Sequence, residues 1–173
     1  MIQIYIQELA TYNNAVGVGR WINVEDFDSE IKGLFVEATE VLKSEDLYYG
    51  VDAEEYEIVD WECEVDIDLN NIYQDIDKLQ ILNDLLNELN QNDIDKLGYL
   101  FSEGYDINDI TIETIENIWS NENWDESVEE FIEYALDIQD DSKIYNYIDY
   151  DKIQRDLEID GYTEYTGKIY REV

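Results

Sequence analysis

The chain has 173 residues, 45% of them hydrophobic and 13% aromatic, with no proline and no histidine. Forty-five acids against 10 bases give a net charge of −35 at pH 7. The apolar content separates it from disordered acidic tails, and the charge argues against binding nucleic acid or anionic membranes while favouring basic protein surfaces.

Cys63 is the single cysteine. An intrachain disulfide is therefore excluded, a reducing compartment is expected, and a structural thiol fits better than a nucleophile. Absence of histidine removes the usual general base and the commonest metal ligand. Neither a cofactor nor a metal is expected. Met1-Ile2-Gln3-Ile4-Tyr5 lacks a basic leader, and no apolar run approaches about 20 residues, so the expected home is the cytoplasm.

In chain order, residues 2–9 alternate Ile2, Ile4, Ile6 against Gln3, Tyr5, Gln7, a half-buried strand. Tyr12-Asn13-Asn14-Ala15 with Gly17 and Gly19 supplies turn chemistry, and residues 20–24 read as a returning strand. Asp28 or Ser29 can cap a helix to about Lys43, with Ile31, Leu34, Phe35, Ala38, Val41 and Leu42 on its apolar side. Residues 55–62 form the next strand. From Val59 to Leu69 apolar and acidic residues alternate without a basic residue. Extended throughout, that stretch puts Val59, Trp61, Cys63, Val65 and Ile67 on a core. Asp60, Glu62, Glu64, Asp66 and Asp68 then form one exposed row, with neighbours about 6.6 Å apart.

Beyond Asn70 the period becomes helical. Ile72, Ile76, Leu79, Leu82, Leu86 and Leu89 define a long amphipathic helix, followed by a shorter one over about 93–102. Further helices are expected from Thr111 to about Trp119, from Trp124 to about Leu136, and over 147–159. Two short segments flanking Thr166-Gly167 read as a C-terminal β-hairpin. The fold class is thus α+β: an N-terminal antiparallel sheet plus helix, an acidic helical middle, and C-terminal helices with a hairpin. The corresponding units are 1–69, 70–104 and 105–173.

Residues 44–142 carry 31 of the 45 acids but only two bases, Lys78 and Lys96. Asp77, Asp84 and Glu88 make one stripe. Glu126, Glu129, Glu130 and Glu133 make another, at helical spacings of three and four. Each like-charge pair at that spacing costs about 0.2–0.5 kcal/mol. A single stripe reads equally as a solvated helix face. Ordinary surfaces mix both signs, however, and a lysine-poor span of a hundred residues points to a selected negative surface. Duplex DNA carries one charge per ~1.7 Å of axis, so 35 charges match about 60 Å of duplex. A compact chain of this length has a radius of gyration of only about 16 Å, so a matching charge array predicts an elongated shape.

Three other readings compete. Asp66-x-Asp68-x-Asn70 begins like a calcium loop, but Asn71 stands where the sharp turn wants glycine and Asp77 replaces the bidentate glutamate. A carboxylate-pair hydrolase is conceivable chemically, yet no pair stands out among so many acids. Halophilic solvation would use the acids only to hold water.

Ile4-Tyr5-Ile6, Tyr12-Asn13-Asn14 and Gly19-Arg20-Trp21-Ile22 resemble the opening of the ArdA antirestriction proteins. The segment from Glu55 to Glu62 is similar to a strand of that family, and the C-terminal Asn146-Tyr147-Ile148-Asp149-Tyr150, Arg155-Asp156-Leu157 and Asp160-Gly161 match most specifically. The regular alternation from Cys63 to Leu69 departs from the family pattern.

The resemblance implies an elongated homodimer, joined through its C-terminal part, that mimics bent DNA and has no enzymatic activity. It would occupy the DNA-binding groove of a type I restriction-modification enzyme, against its methyltransferase and specificity subunits, in the cytoplasm of a bacterium invaded by a mobile element. Asp60, Glu62, Glu64, Asp66, Asp68, Asp77, Asp84, Glu88, Glu126, Glu129, Glu130 and Glu133 are the expected phosphate-mimicking acids. Tyr145, Tyr147 and Tyr150 are candidate dimer-interface aromatics. The alternative is an acidic phage or plasmid protein that sequesters another basic DNA-binding protein or a different defence system.

Overall fold

The computed structural model describes residues 1–65, 67–138, 143 and 145–173. The α+β expectation holds. Among the described residues, two small antiparallel sheets of three strands each are combined with helices. The backbone separates into two compact units, one of residues 1–94 with 105–109, the other of residues 95–104 with 110–173. Residues 70–104 are therefore shared between the two.

In the first unit β1 (Ile2–Glu8) lies between β2 (Gly19–Asn23) and β3 (Tyr56–Cys63). Alternation in β1 works as expected: Ile2, Ile4 and Ile6 are fully buried, while Gln3, Tyr5 and Gln7 face the other way. The buried isoleucines join Ile22 and Ile58 against α2 (Phe27–Ser44), which contributes Ile31, Leu34 and Ala38. A short helix, α1 (Leu9–Asn13), follows β1 directly. Its cap is Glu8, a fully buried residue whose carboxylate accepts from Ala10 N at 3.0 Å and Thr11 N at 2.7 Å. Two backbone donors and the helix N-terminus compensate the charge there.

The expected strand from Val59 to Leu69 is corrected in two respects. First, Tyr5 pairs with Asp60 but Ile6 pairs with Ile58, so Val59 is an extra, bulged residue. Val59 is 43% exposed rather than in the core, whereas Ile58 is buried. Second, β3 ends at Cys63, opposite Ile2. Glu64 N still donates to Met1 O at 3.3 Å, but past this point β3 has no described strand beside it. An extended segment whose backbone groups lack a ladder partner turns to other bonds. Ile67 and Leu69 are nonetheless buried, so the apolar half of the alternation anchors a loop instead of a strand.

Ile72 belongs to the following turn, and α3 (Ile76–Glu88) starts later than its periodicity suggests, where Asp75 accepts from Lys78 N at 3.2 Å. Leu79, Leu82 and Leu86 bury its apolar side. Buried Asn83 ties it to the sheet by accepting from Ile2 N at 3.2 Å. A fourth helix, α4 (Gln91–Ser102), crosses from the first unit into the second.

The second unit holds a sheet with order β4-β6-β5, from β4 (Ile118–Asn121), β5 (Thr163–Tyr165) and β6 (Lys168–Glu172). A helix over 111–119 was expected; the structure has α5 (Ile112–Glu116) and then β4. Thr111 and Thr114 form a capping box, Asn117 ends the helix after little more than a turn, and Ile118 to Asn121 pair with β6. Partner-strand hydrogen bonds outweigh a weak helical preference in a segment rich in β-branched residues. The Tyr170 ring stacks on Tyr99 at 4.8 Å, and Tyr165 packs over Gly98, where a Cβ would meet its hydroxyl at 3.3 Å. A smaller core of Val128, Ile132 and Leu157 joins α6 (Trp124–Glu130) to α7 (Tyr150–Ile159).

β5 and β6 are joined through Thr166 and Gly167, with φ of 50° and 86°. This is the two-residue, left-handed turn that suits hairpin twist, but its first position holds a β-branched residue. Replacing Thr166→Asn, which tolerates that region, is expected to raise unfolding stability by about 0.5–1 kcal/mol, read as a higher urea midpoint with unchanged slope.

Candidate functional site: the exposed carboxylate surface

Three structural settings present the candidate acids. On β3, Asp60 lies opposite Tyr5 and Glu62 opposite Gln3, so both share the face of the sheet turned away from α2. Asp60 Oδ1 accepts from Trp61 N at 2.9 Å, which fixes its carboxylate. Glu64 follows the strand and pairs with the Met1 ammonium at 3.0 Å. Asp68 sits in the loop, accepting from Asn70 N at 2.9 Å. Asp66 lies outside the described residues. The five-membered row thus contains two strand carboxylates, Asp60 and Glu62, and two on the segment that follows. Glu57, opposite Gln7, stands on the same sheet face as Asp60. It was missed because the bulge shifts the alternation by one; the adjacent apolar pair Ile58-Val59 is the sequence signal.

On α3, Asp77, Asp84 and Glu88 are all exposed along one stripe, with half-exposed Ile81 between them. Their field reaches the start of β3: Tyr56 has its phenol pKa raised, by burial first and then by the charges of Asp77 and Asp75.

The second unit carries the third group. Glu126, Glu129 and Glu133 are exposed, while Glu130 is half-buried and accepts from Asn121 Nδ2 at 3.1 Å. The helix changes character here, because Phe131–Ala135 is π-helical and Leu136 N donates to Phe131 O five residues back, at 3.2 Å. Widening that turn alters the angular spacing of Glu133 from the preceding glutamates. Among the tyrosines, Tyr145 and Tyr150 pack on the Val128–Ile132–Leu157 core and join their hydroxyls at 2.6 Å. Tyr147 is 88% exposed.

Three bases are half-buried in ion pairs, whereas Lys32, Lys43, Lys152 and Arg155 are exposed. Arg20 bridges Glu30 and Glu37 of α2. Lys168 reaches Asp95 at 3.0 Å and Glu122 at 3.6 Å. Lys78, one of two bases in the acidic span, is bound to Asp106 at 2.6 Å. None of these three cations is paired with a candidate acid of β3, α3 or α6. Cys63 is half-buried at the end of β3. Among the described residues, no three acidic or thiol side chains converge as metal ligands would, and no helix is long and apolar enough to cross a membrane.

Comparison with known sequences now adds a decisive observation. The sequence model of the family described as "Antirestriction protein (ArdA)" matches residues 4–172. The chain belongs to the ArdA family. That match runs from β1 to the last residue of β6, through both units and all three acid groups. No curated protein matches the chain. ArdA membership gives an antirestriction role in general, directed at restriction-modification systems, and the family is not one of known enzymes.

Two measurements check the electrostatics of this ArdA-family chain. Because net charge is −35, screening should stabilise the folded state: raising NaCl from about 20 to 300 mM is expected to raise Tm by several degrees. A flat or falling Tm would mean that self-repulsion is not a leading cost. The Lys78–Asp106 pair has a distinct pH signature. A hydrogen bond from Lys78, then one from Asn108 N, holds Asp106 below the ordinary 3.8. Its contribution is present above 3.8 and is lost as pH falls through the lowered value. Lys78 is raised above 10.5 chiefly by the same hydrogen bond, so its share fades only in strong alkali. Urea unfolding of wild type and Asp106→Asn should therefore differ by a constant amount near neutrality, and the curves should converge in acid below pH 3.8.

Proposed function

We propose that this protein is a DNA mimic that occupies the DNA-binding groove of type I restriction-modification enzymes and blocks both cleavage and modification. The observation that carries this reading is the asymmetry between signs. Carboxylates stand outward on β3, α3 and α6, and of the two bases in residues 44–142, Lys78 and Lys96, neither is exposed and Lys78 is engaged by Asp106. Like charges held on regular elements cost stability that an ordinary solvated surface avoids by mixing signs.

A groove built for DNA presents lysine and arginine to phosphates, and binding there is driven largely by release of condensed counterions. A folded carboxylate array meets the same charges with its shape set in advance. Carboxylates carry no base edges, so recognition is blind to the target sequence of the specificity subunit. Blocking the groove denies DNA to the methyltransferase and specificity subunits together, hence the loss of both activities. The reading includes an elongated homodimer joined through the C-terminal region, where Tyr147 is the exposed member of the candidate interface tyrosines.

Inhibition of a purified type I enzyme tests the proposal. Cleavage and methylation should fall in parallel, and apparent affinity should drop at least about tenfold between 50 and 200 mM salt. Neutralising one acid is expected to weaken inhibition by no more than about threefold. Neutralising Asp77, Asp84 and Glu88 together should cost about tenfold, because each exposed charge contributes a small additive amount. Inhibition that ignored salt, or vanished with a single exposed acid, would point to a different mechanism. Recovery of other basic proteins, without restriction subunits, from a lysate would redirect the target.

A further inference from the structure

The outward face of the first sheet is not merely acidic. Tyr5 and Trp21 lie opposite one another on β1 and β2, and Asp60 lies opposite Tyr5 on β3. Indole, phenol and carboxylate therefore form one row across three strands, spanning about 9–10 Å from the first backbone to the last. Tyr5 and Trp21 meet edge to face with ring centroids 5.6 Å apart, and Trp21 is 41% exposed. Gly19 makes this arrangement possible. A Cβ there would come within 2.8 Å of the Tyr5 hydroxyl, so the phenol extends diagonally over the space a side chain would fill. On one side Gln3 Nε2 donates to Asn23 Oδ1 at 2.9 Å, and a depression of about 220 Å³ lined by Met1, Gln3, Glu62, Cys63 and Glu64 continues the face.

Carboxylates alone treat lysine and arginine alike. An aromatic ledge beside a fixed carboxylate does not. The guanidinium is planar and weakly hydrated, stacks on ring faces, and pairs with a carboxylate through its edge, whereas an ammonium is a compact, strongly hydrated charge. We infer that the Trp21–Tyr5–Asp60 row is a docking ledge for an arginine side chain of the basic partner, an anchor within an otherwise diffuse charge match. The inference rests on the reading that the partner presents a basic DNA-binding surface, and it names which cation of that surface is preferred. Complementary charge from Glu57, Asp60 and Glu62 and the exposed Trp21 beside half-buried Tyr5 both favour this occupant over an apolar one.

Tetra-arginine and tetra-lysine peptides, titrated into isotope-labelled protein at about 150 mM salt, read the ledge directly. The arginine peptide is expected to bind about fivefold more tightly, with the largest shifts at the Trp21 indole N–H and the Asp60 amide. Trp21→Leu should abolish the arginine preference and leave the shared, charge-driven binding. Asp60→Asn should weaken the arginine peptide by severalfold. Equal affinities, a preference that survives Trp21→Leu, or largest shifts away from this face would overturn the inference. So would a concentration-dependent Trp21 shift without peptide, which would make a second copy the occupant. The location of the shifts is read in wild type and holds whether or not the variants fold. Because no restriction enzyme is present, absence of the preference sinks the ledge alone, and failure to inhibit a type I enzyme sinks the target reading alone.

Discussion

Repulsion among like charges is the constraint around which this chain is built. At −35, the folded state must gain enough from burial to hold carboxylates together that would separate freely in an unfolded chain. The response is visible in the placement of every kind of side chain. Isoleucines and leucines fill two sheet-centred cores. Backbone N–H groups receive acids at helix starts: Glu8, Asp75 and Asp149 each accept at the first turn of a helix, where the dipole favours them. The described ion pairs of Arg20, Lys78 and Lys168 join separate stretches of chain. Those three cations tie the fold, while Lys32, Lys43, Lys152 and Arg155 stay exposed on α2 and α7, not on the acid-bearing β3, α3 or α6.

Much of this was legible in the sequence because strong periodicity survives folding. The β1 alternation, the apolar side of α2, the leucines of α3 and the Thr166-Gly167 hairpin all emerged where their patterns lay. What was not legible depended on partners distant in sequence. β4 exists because β6 lies beside Ile118 to Asn121, and a helical pattern with three isoleucines carries no trace of that neighbour. The alternation after Cys63 was a true burial pattern, since Ile67 and Leu69 are inside, but strand identity also requires a ladder. Helix onsets at Ile76 and Ile112 were set by Asp75 and Thr111, capping residues that periodicity alone does not register.

The candidate site divides along the same line. Exposure of the α3 stripe followed from helical spacing and needed nothing else. Val59 was misassigned and Glu57 missed because one bulged residue exchanges the two faces of a strand, and Ile58-Val59 was the only local sign. Glu130 was placed with its neighbours on spacing, yet Asn121 of β4 holds it, an interaction that presupposes a strand the sequence concealed. Tyr145 and Tyr150 were singled out as candidate dimer-interface aromatics, and within the chain both pack on a small core.

The bulge at Val59 has a consequence for the protein in the company of its own copies. β3 is an edge strand, and an edge offers unpaired backbone groups to any extended segment nearby. Here the strand is kinked by one extra residue and lined with Glu57, Asp60 and Glu62, so a second β3 arriving alongside meets a broken register and three repelling charges. Aggregation through this edge is opposed by these same carboxylates. Substitutions that neutralise the strand therefore lower colloidal stability, which ties the acidity of β3 to the chain's survival at high expression whatever else those acids do.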